Sequence, residues 1–131
     1  MESRRWHLVA LVAAHLVASL LHFADNALRF GRYHDAATPW LTPGIVVAAW
    51  FVQSAIGSVG LVLHRRGRKT GRPILMAFAA LGFAGILHYA AGMPDPDAWM
   101  HALIALEAVT GAALLVGLGL SKDADPSASA G

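Results

Sequence analysis

The chain contains no cysteine. Disulfides, thiolate nucleophiles, iron–sulfur clusters and thiolate metal sites are therefore excluded together. Charge is scarce as well. Only 14% of the 131 residues are Asp, Glu, Lys or Arg, against roughly 25% in an average globular protein. Short catalytic signatures are missing too: there is no HExxH, no CxxCH, no GxSxG around any serine, and no phosphate loop of the GxxxxGKS or GxGxxG kind. The run GRKTGR has a superficial likeness to the last of these, but it lies in a basic loop that follows no strand.

Apolar residues fill the chain instead. They make up 56% of it, and the mean hydropathy is +0.54. These values belong to membrane proteins. The pI near 9.5 accompanies a net charge of only +2, and the basic residues sit beside apolar runs. The expected partner is therefore the lipid bilayer and not nucleic acid.

Four apolar spans stand out, at about 6–24, 44–63, 73–91 and 98–120. Each has roughly the 20 residues that cross a hydrocarbon core. The first continues as helix toward Phe30. Thr42-Pro43 opens the second span with an N-cap and an N1 proline, Arg72-Pro73 opens the third and Asp95-Pro96 the fourth. Gly31 and Gly92 are expected helix stops. The connections are short, so successive helices should be antiparallel neighbours. The expected fold is an all-α integral membrane protein, an up-down bundle of four transmembrane helices over residues 1–120. A small, polar, disordered tail follows at 121–131. The first span has a basic start, but its apolar run exceeds the usual 7–15 residues of a signal peptide and no small-residue cleavage site ends it. It reads as a retained helix.

Orientation follows the basic residues. Arg4, Arg5, Arg65, Arg66, Arg68, Lys69, Arg72 and Lys122 fall on one side of the spans, and only Arg29 and Arg32 on the other. The positive-inside rule places both termini and the 65–72 loop in the cytoplasm, with the protein in the inner membrane. Trp6, Trp40 and Trp99 lie near span ends, as interfacial anchors do.

The stretch HLVASLLHFADNALRF carries the polar residues of the first span. At 100° per residue, His15, Ser19, His22, Asn26 and Arg29 share an arc of about 80°, and Asp25 flanks it. Such a stripe should face the bundle interior or a wet cavity. Aligning the helices at about 1.5 Å per residue gives two layers. His15, Gln53 and Glu107 come out at one central depth. His22, His88 and His101 come out nearer the outer face, with Asp25, Asn26 and Met100 close by and His34 and Asp35 in the outer loop.

Three functions suit this pattern. The leading expectation is a transition-metal site (Zn or Cu) or a haem site built on His22, His88 and His101 with Asp25, because neutral imidazole suits those metals. His22 and His88 lie on helices that are diagonal in a simple bundle, which suits bis-histidine haem ligation. The alternative is an intramembrane acid–base enzyme, or a proton-coupled subunit, using His15 and Glu107, with Gln53 polarising a substrate oxygen. The third is a structural or assembly protein in which the polar residues fix helix register. A homo-oligomer or a larger membrane complex is compatible with each.

The threading makes a direct prediction. Alkaline phosphatase fused after Asp35 is active in cells, and the same enzyme fused after Arg68 is inactive. The reverse pattern would invert the bundle.

Overall fold

The computed structural model describes residues 2–33, 39–90 and 97–122, and these are helical apart from short turns. Helix α1 runs Glu2–Leu28, a short α2 Phe30–Tyr33, α3 Pro43–Arg65, α4 Gly71–Leu81, α5 Leu87–Ala90 and α6 Ala98–Lys122, with a 3₁₀ turn Ala84–Ile86 between α4 and α5. Four segments are long and apolar enough to cross a membrane: Trp6–Leu28, Pro43–Arg65, Gly71–Tyr89 and Ala98–Leu120. By length and composition the chain could thus cross a membrane four times. Helix α6 takes in residues 121 and 122, the first two of the expected tail; the rest of that tail, His34, Asp35, Gly92 and Asp95-Pro96 lie outside the described residues.

The four segments form a ring in which α1 packs on α3 and α6, while α4 packs on α3 and α6. Segments one and three are therefore diagonal. The outside of the ring is apolar: Phe51, Val52, Val109 and Val116 are all more than 60% exposed. In water that arrangement would be unstable; in a bilayer it faces lipid. Trp6, Trp40 and Trp99 are exposed at segment ends.

Local sequence explains most helix limits. Thr42 caps α3, its Oγ1 accepting from the backbone N–H of Ile45 at 3.3 Å, with Pro43 at N1. Asp97 caps α6 by accepting from the N–H of Met100 at 2.9 Å. Two limits differ from the sequence expectation. Gly31 does not end the first helical segment but lies within α2, after a turn at Arg29. The third segment is not one continuous helix. It breaks at Gly82 and Phe83, whose N–H groups bond three residues back to Ala79 and Ala80. Such a tightening in mid-span marks strain or a functional site.

The interior is layered. At the end carrying the termini, Leu8, Val12, Leu75, Phe78, Leu114 and Leu118 form an apolar plug. Arg72 closes it by donating to the Leu118 carbonyl at 3.2 Å. The buried polar residues occupy the middle. At the far end, Tyr33, Met100 and Ile104 make a smaller apolar cluster beneath an ionic clasp. In the clasp Arg29 bonds Asp97 at 2.7 Å and Asp25 at 3.1 Å, Arg32 reaches Asp97 at 3.2 Å, and the Tyr33 hydroxyl donates to Asp25 at 3.0 Å. Burial and the hydrogen bond to Asp25 raise the Tyr33 phenol above its usual range. Burial opposes the charge on Arg29, but Asp25, Tyr33 and Asp97 outweigh it and keep the guanidinium firmly protonated.

The Asp97 carboxyl is held below the usual carboxylate range, first by the Met100 N–H; burial opposes this, and Arg32 and Arg29 add to the lowering. A depressed carboxyl contributes stability that is full above its unfolded value and is lost as pH falls through the folded one. Thermal unfolding in detergent should therefore show Asp97→Asn, which keeps the cap acceptor, less stable than the parent at neutral pH. The gap should close in acid. A gap independent of pH would show that the clasp charge contributes nothing.

Candidate functional site

Among the described residues, six polar or charged side chains are buried besides Tyr33: His15, Ser19, His22, Asn26, Gln53 and Glu107. Four of them come from the α1 stripe. The 3.6-residue repeat turns them onto one face, and the ring closes over that face. Gln53 and Glu107 reach the same interior from α3 and α6.

Glu107 is the centre of the arrangement and is only 1% exposed. Its Oε2 meets His22 Nδ1 at 2.5 Å, and its Oε1 accepts from Gln53 Nε2 at 3.1 Å. Both carboxylate oxygens are thus engaged. A charged side chain at mid-membrane costs about 2.5–3.5 kcal/mol even on permissive scales, so these two partners are what makes the carboxylate tolerable. With Glu107 ionised and His22 neutral, His22 Nδ1–H donates and Nε2 carries a lone pair. That Nε2 is buried and has no hydrogen-bond partner among the described residues.

His22, Asn26, His88 and Glu107 form the polar floor of a chamber of about 170 Å³. Its walls are apolar and include Phe23, Leu41, Val46 and Ala84. Asn26 Nδ2 lies 3.1 Å from His88 Nε2, and the rings of His22 and His88 meet edge to face with centres 5.5 Å apart. The break in the third segment shapes this region. A methyl carbon on Gly85 would lie 3.0 Å from His22 Cε1, and one on Gly82 would lie 2.4 Å from His15 Cε1 and 2.9 Å from the Glu107 carbonyl. Both positions must lack a side chain for the diagonal segment to close on the two imidazoles.

The central layer read from the sequence is rearranged. Glu107 does bond Gln53 of its own layer, but its histidine partner is His22 and not His15. His15 Nδ1 instead bonds Thr110 Oγ1 at 2.9 Å, its ring packs on Phe78, and its Nε2 is buried with no hydrogen-bond partner among the described residues. The reason is side-chain direction. Each Cα–Cβ bond leans toward its own helix N-terminus. On antiparallel α1 and α6 this tips His22 and Glu107 toward each other and tips His15 and Glu107 apart. Depth counted at Cα atoms ignores that lean, and the missing signal was present in the chain directions.

The outer histidines divide. His22 and His88 are neighbours. His101 is exposed, stacks on Tyr89 with ring planes 9° apart, and has its Nδ1 2.7 Å from the Tyr89 hydroxyl. Asp25 is taken by Arg29 and Tyr33. Among the described residues, no three His, Asp or Glu side chains converge to share a metal ion. The His22 and His88 rings are in mutual contact, so a porphyrin between them would require the helices to part.

No known protein family, curated protein or solved structure matches this chain.

The pairing can be measured by a double-mutant cycle on thermal unfolding. His22→Ala and Glu107→Gln should be non-additive by about 0.5–3 kcal/mol, because the double variant leaves neither partner stranded. The same cycle with His15→Ala should show a smaller coupling. Equal coupling for both histidines would contradict the pairing.

Proposed function

We propose that this protein is an intramembrane acid–base protein. In this reading the His22–Glu107 pair exchanges protons with a small, largely apolar molecule lodged in the chamber. One observation carries it: a buried imidazole is held at one nitrogen by an anchored carboxylate and lines a cavity with its other nitrogen unpartnered. A pair that served only to fix helix register would have no need of an unsatisfied polar atom, since leaving one buried costs roughly 1–3 kcal/mol.

The roles follow from the geometry. His22 Nε2 takes a proton from the ligand, whose bonding pair stays on the ligand. Glu107 holds the imidazole in the required tautomer and stabilises the imidazolium that forms, as the carboxylate does in other base dyads. Gln53 fixes the carboxylate by holding Oε1. Returning the proton to the same or a neighbouring ligand atom completes an exchange or an isomerisation. Passage of protons across the whole membrane fits less well. Beyond His15 and Thr110 the interior is the apolar plug of Leu8, Val12, Leu75, Leu114 and Leu118, which offers no relay.

A metal reading draws on a different observation. Two imidazoles sharing a tetrahedral ion at about 2.0–2.1 Å place their ring centres roughly 5 Å apart, close to the His22–His88 separation of 5.5 Å. In that case Glu107 would be the carboxylate that orients a ligating histidine. Since His88 Nε2 lies against Asn26, the acid–base reading requires less rearrangement. We place the protein in the inner membrane with the chamber toward the outer face, on the distribution of basic residues.

Proteoliposomes made with lipid extract from the membranes that yield the protein test the reading in D2O. Mass spectrometry should find deuterium entering a non-exchanging C–H position of an apolar component. Incorporation should fall about 10²-fold or more in His22→Ala and Glu107→Gln and stay unchanged in His7→Ala. Absence of label, with zinc or copper in the purified protein that is lost in His22→Ala and His88→Ala, would replace this reading by the metal site. Absence of both would leave a structural role.

A further inference from the structure

The connection between α3 and α4 concentrates positive charge. Arg65, Arg66, Arg68 and Lys69 are all exposed there. The described carboxylates are engaged elsewhere: Asp25 and Asp97 hold the arginines of the far clasp, and Glu107 is buried on His22 and Gln53. Among the described residues, no carboxylate pairs with any of these four cations.

The connection is a built turn. The Arg68 N–H donates to the Leu63 carbonyl and the Gly67 N–H to the His64 carbonyl, each at 3.0 Å. These are the paired bonds of a Schellman stop. Gly67 has φ +69°, a conformation that a β-branched residue resists. The Gly71 N–H then donates to the Arg68 carbonyl at 2.9 Å, and Gly71 lies so close to the His64 backbone that it has no room for a side chain. The backbone that carries the four cations is therefore fixed. The same turn leads into the N-terminus of α4, which has no acidic residue in its first turn and no side-chain cap. The positive end of that helix dipole is uncompensated and adds to the field.

The two membrane-length segments joined here end at Arg65 and begin at Gly71. In a bilayer the turn lies at headgroup depth. Val59 and Val62 of α3 and Met76 of α4 are exposed on the adjoining helix surfaces, which suits acyl chains. Guanidinium groups match phosphate oxygens in pairs, and clustered Lys and Arg beside a membrane span favour anionic lipid. A zwitterionic headgroup brings its own cation, which this cluster repels. The apolar surface beside the turn favours a lipid over RNA.

We propose that the α3–α4 turn binds the phosphate of an anionic phospholipid, with the basic side chains of residues 65–69 on its oxygens and the acyl chains along Val59, Val62 and Met76. This site is independent of the acid–base reading and rests only on the segments crossing a bilayer.

The test is native mass spectrometry of the full-length protein, released from detergent micelles that contain equal amounts of dioleoyl phosphatidylglycerol and dioleoyl phosphatidylcholine. The phosphatidylglycerol should be retained preferentially. Arg66→Gln combined with Arg68→Gln should lower its retention about tenfold or more. Arg4→Gln combined with Arg5→Gln removes the same charge and should change retention by no more than about twofold. Gly67→Val keeps every charge but breaks the turn, and should also lower retention while helix content by circular dichroism is unchanged. Equal losses in the two double variants, equal retention of the two lipids, or parental retention in Gly67→Val would overturn the site. Displacement of the lipid at physiological salt by millimolar inorganic phosphate, or by a short RNA, would assign the turn to a soluble anion instead.

Discussion

The structure depends on keeping a carboxylate inside a bundle of helices that are long and apolar enough to cross a membrane. Glu107 sits in the middle of α6 with apolar helix surface all round it, and it is held by one histidine and one amide. Everything nearby serves that contact. The α1 stripe supplies His22, α3 supplies Gln53, and the third segment gives up regular helix and two side chains at Gly82 and Gly85 so that the imidazoles fit. Removing one partner leaves a buried charge or an unsatisfied amide, which low dielectric makes expensive.

The bundle is asymmetric along its axis, and the asymmetry bears on function. The half near the termini is sealed by close apolar packing, with the Phe78 ring lying where a side chain on Gly57 would project. The other half contains the chamber with its polar floor, and is closed at its end by an ionic clasp between the α1–α2 turn and the start of α6. With both ends closed, a ligand of the proposed kind would enter the chamber from the side of the bundle. The arrangement suits transfer across the membrane less well.

Much of this was legible in the amino-acid order. Composition and hydropathy give four spans, Thr42-Pro43 starts α3 where it is found, and the repeat of His15, Ser19, His22 and Asn26 marks the inward face of α1. The break in the third segment was not legible. Gly82 and Gly85 in an apolar run usually signal close packing of a continuous helix, and only the bulk of two histidines on the diagonal segment distinguishes this case. The grouping of outer histidines failed at His101 for a similar reason. Equal depth does not fix rotation, and on α6 the face that buries Met100, Ile104 and Glu107 leaves His101 to Tyr89 at the surface.

The sequence by itself determined which segments are helical, how many can span a membrane, and which face of α1 is polar. Those properties follow from the period of the α-helix and the cost of polar groups in lipid, and both are local. Only the tertiary structure decided which polar groups meet. Partner choice depends on the relative direction, rotation and spacing of helices far apart in the chain. The lean of side chains along antiparallel helices gave Glu107 to His22 and left His15 to Thr110.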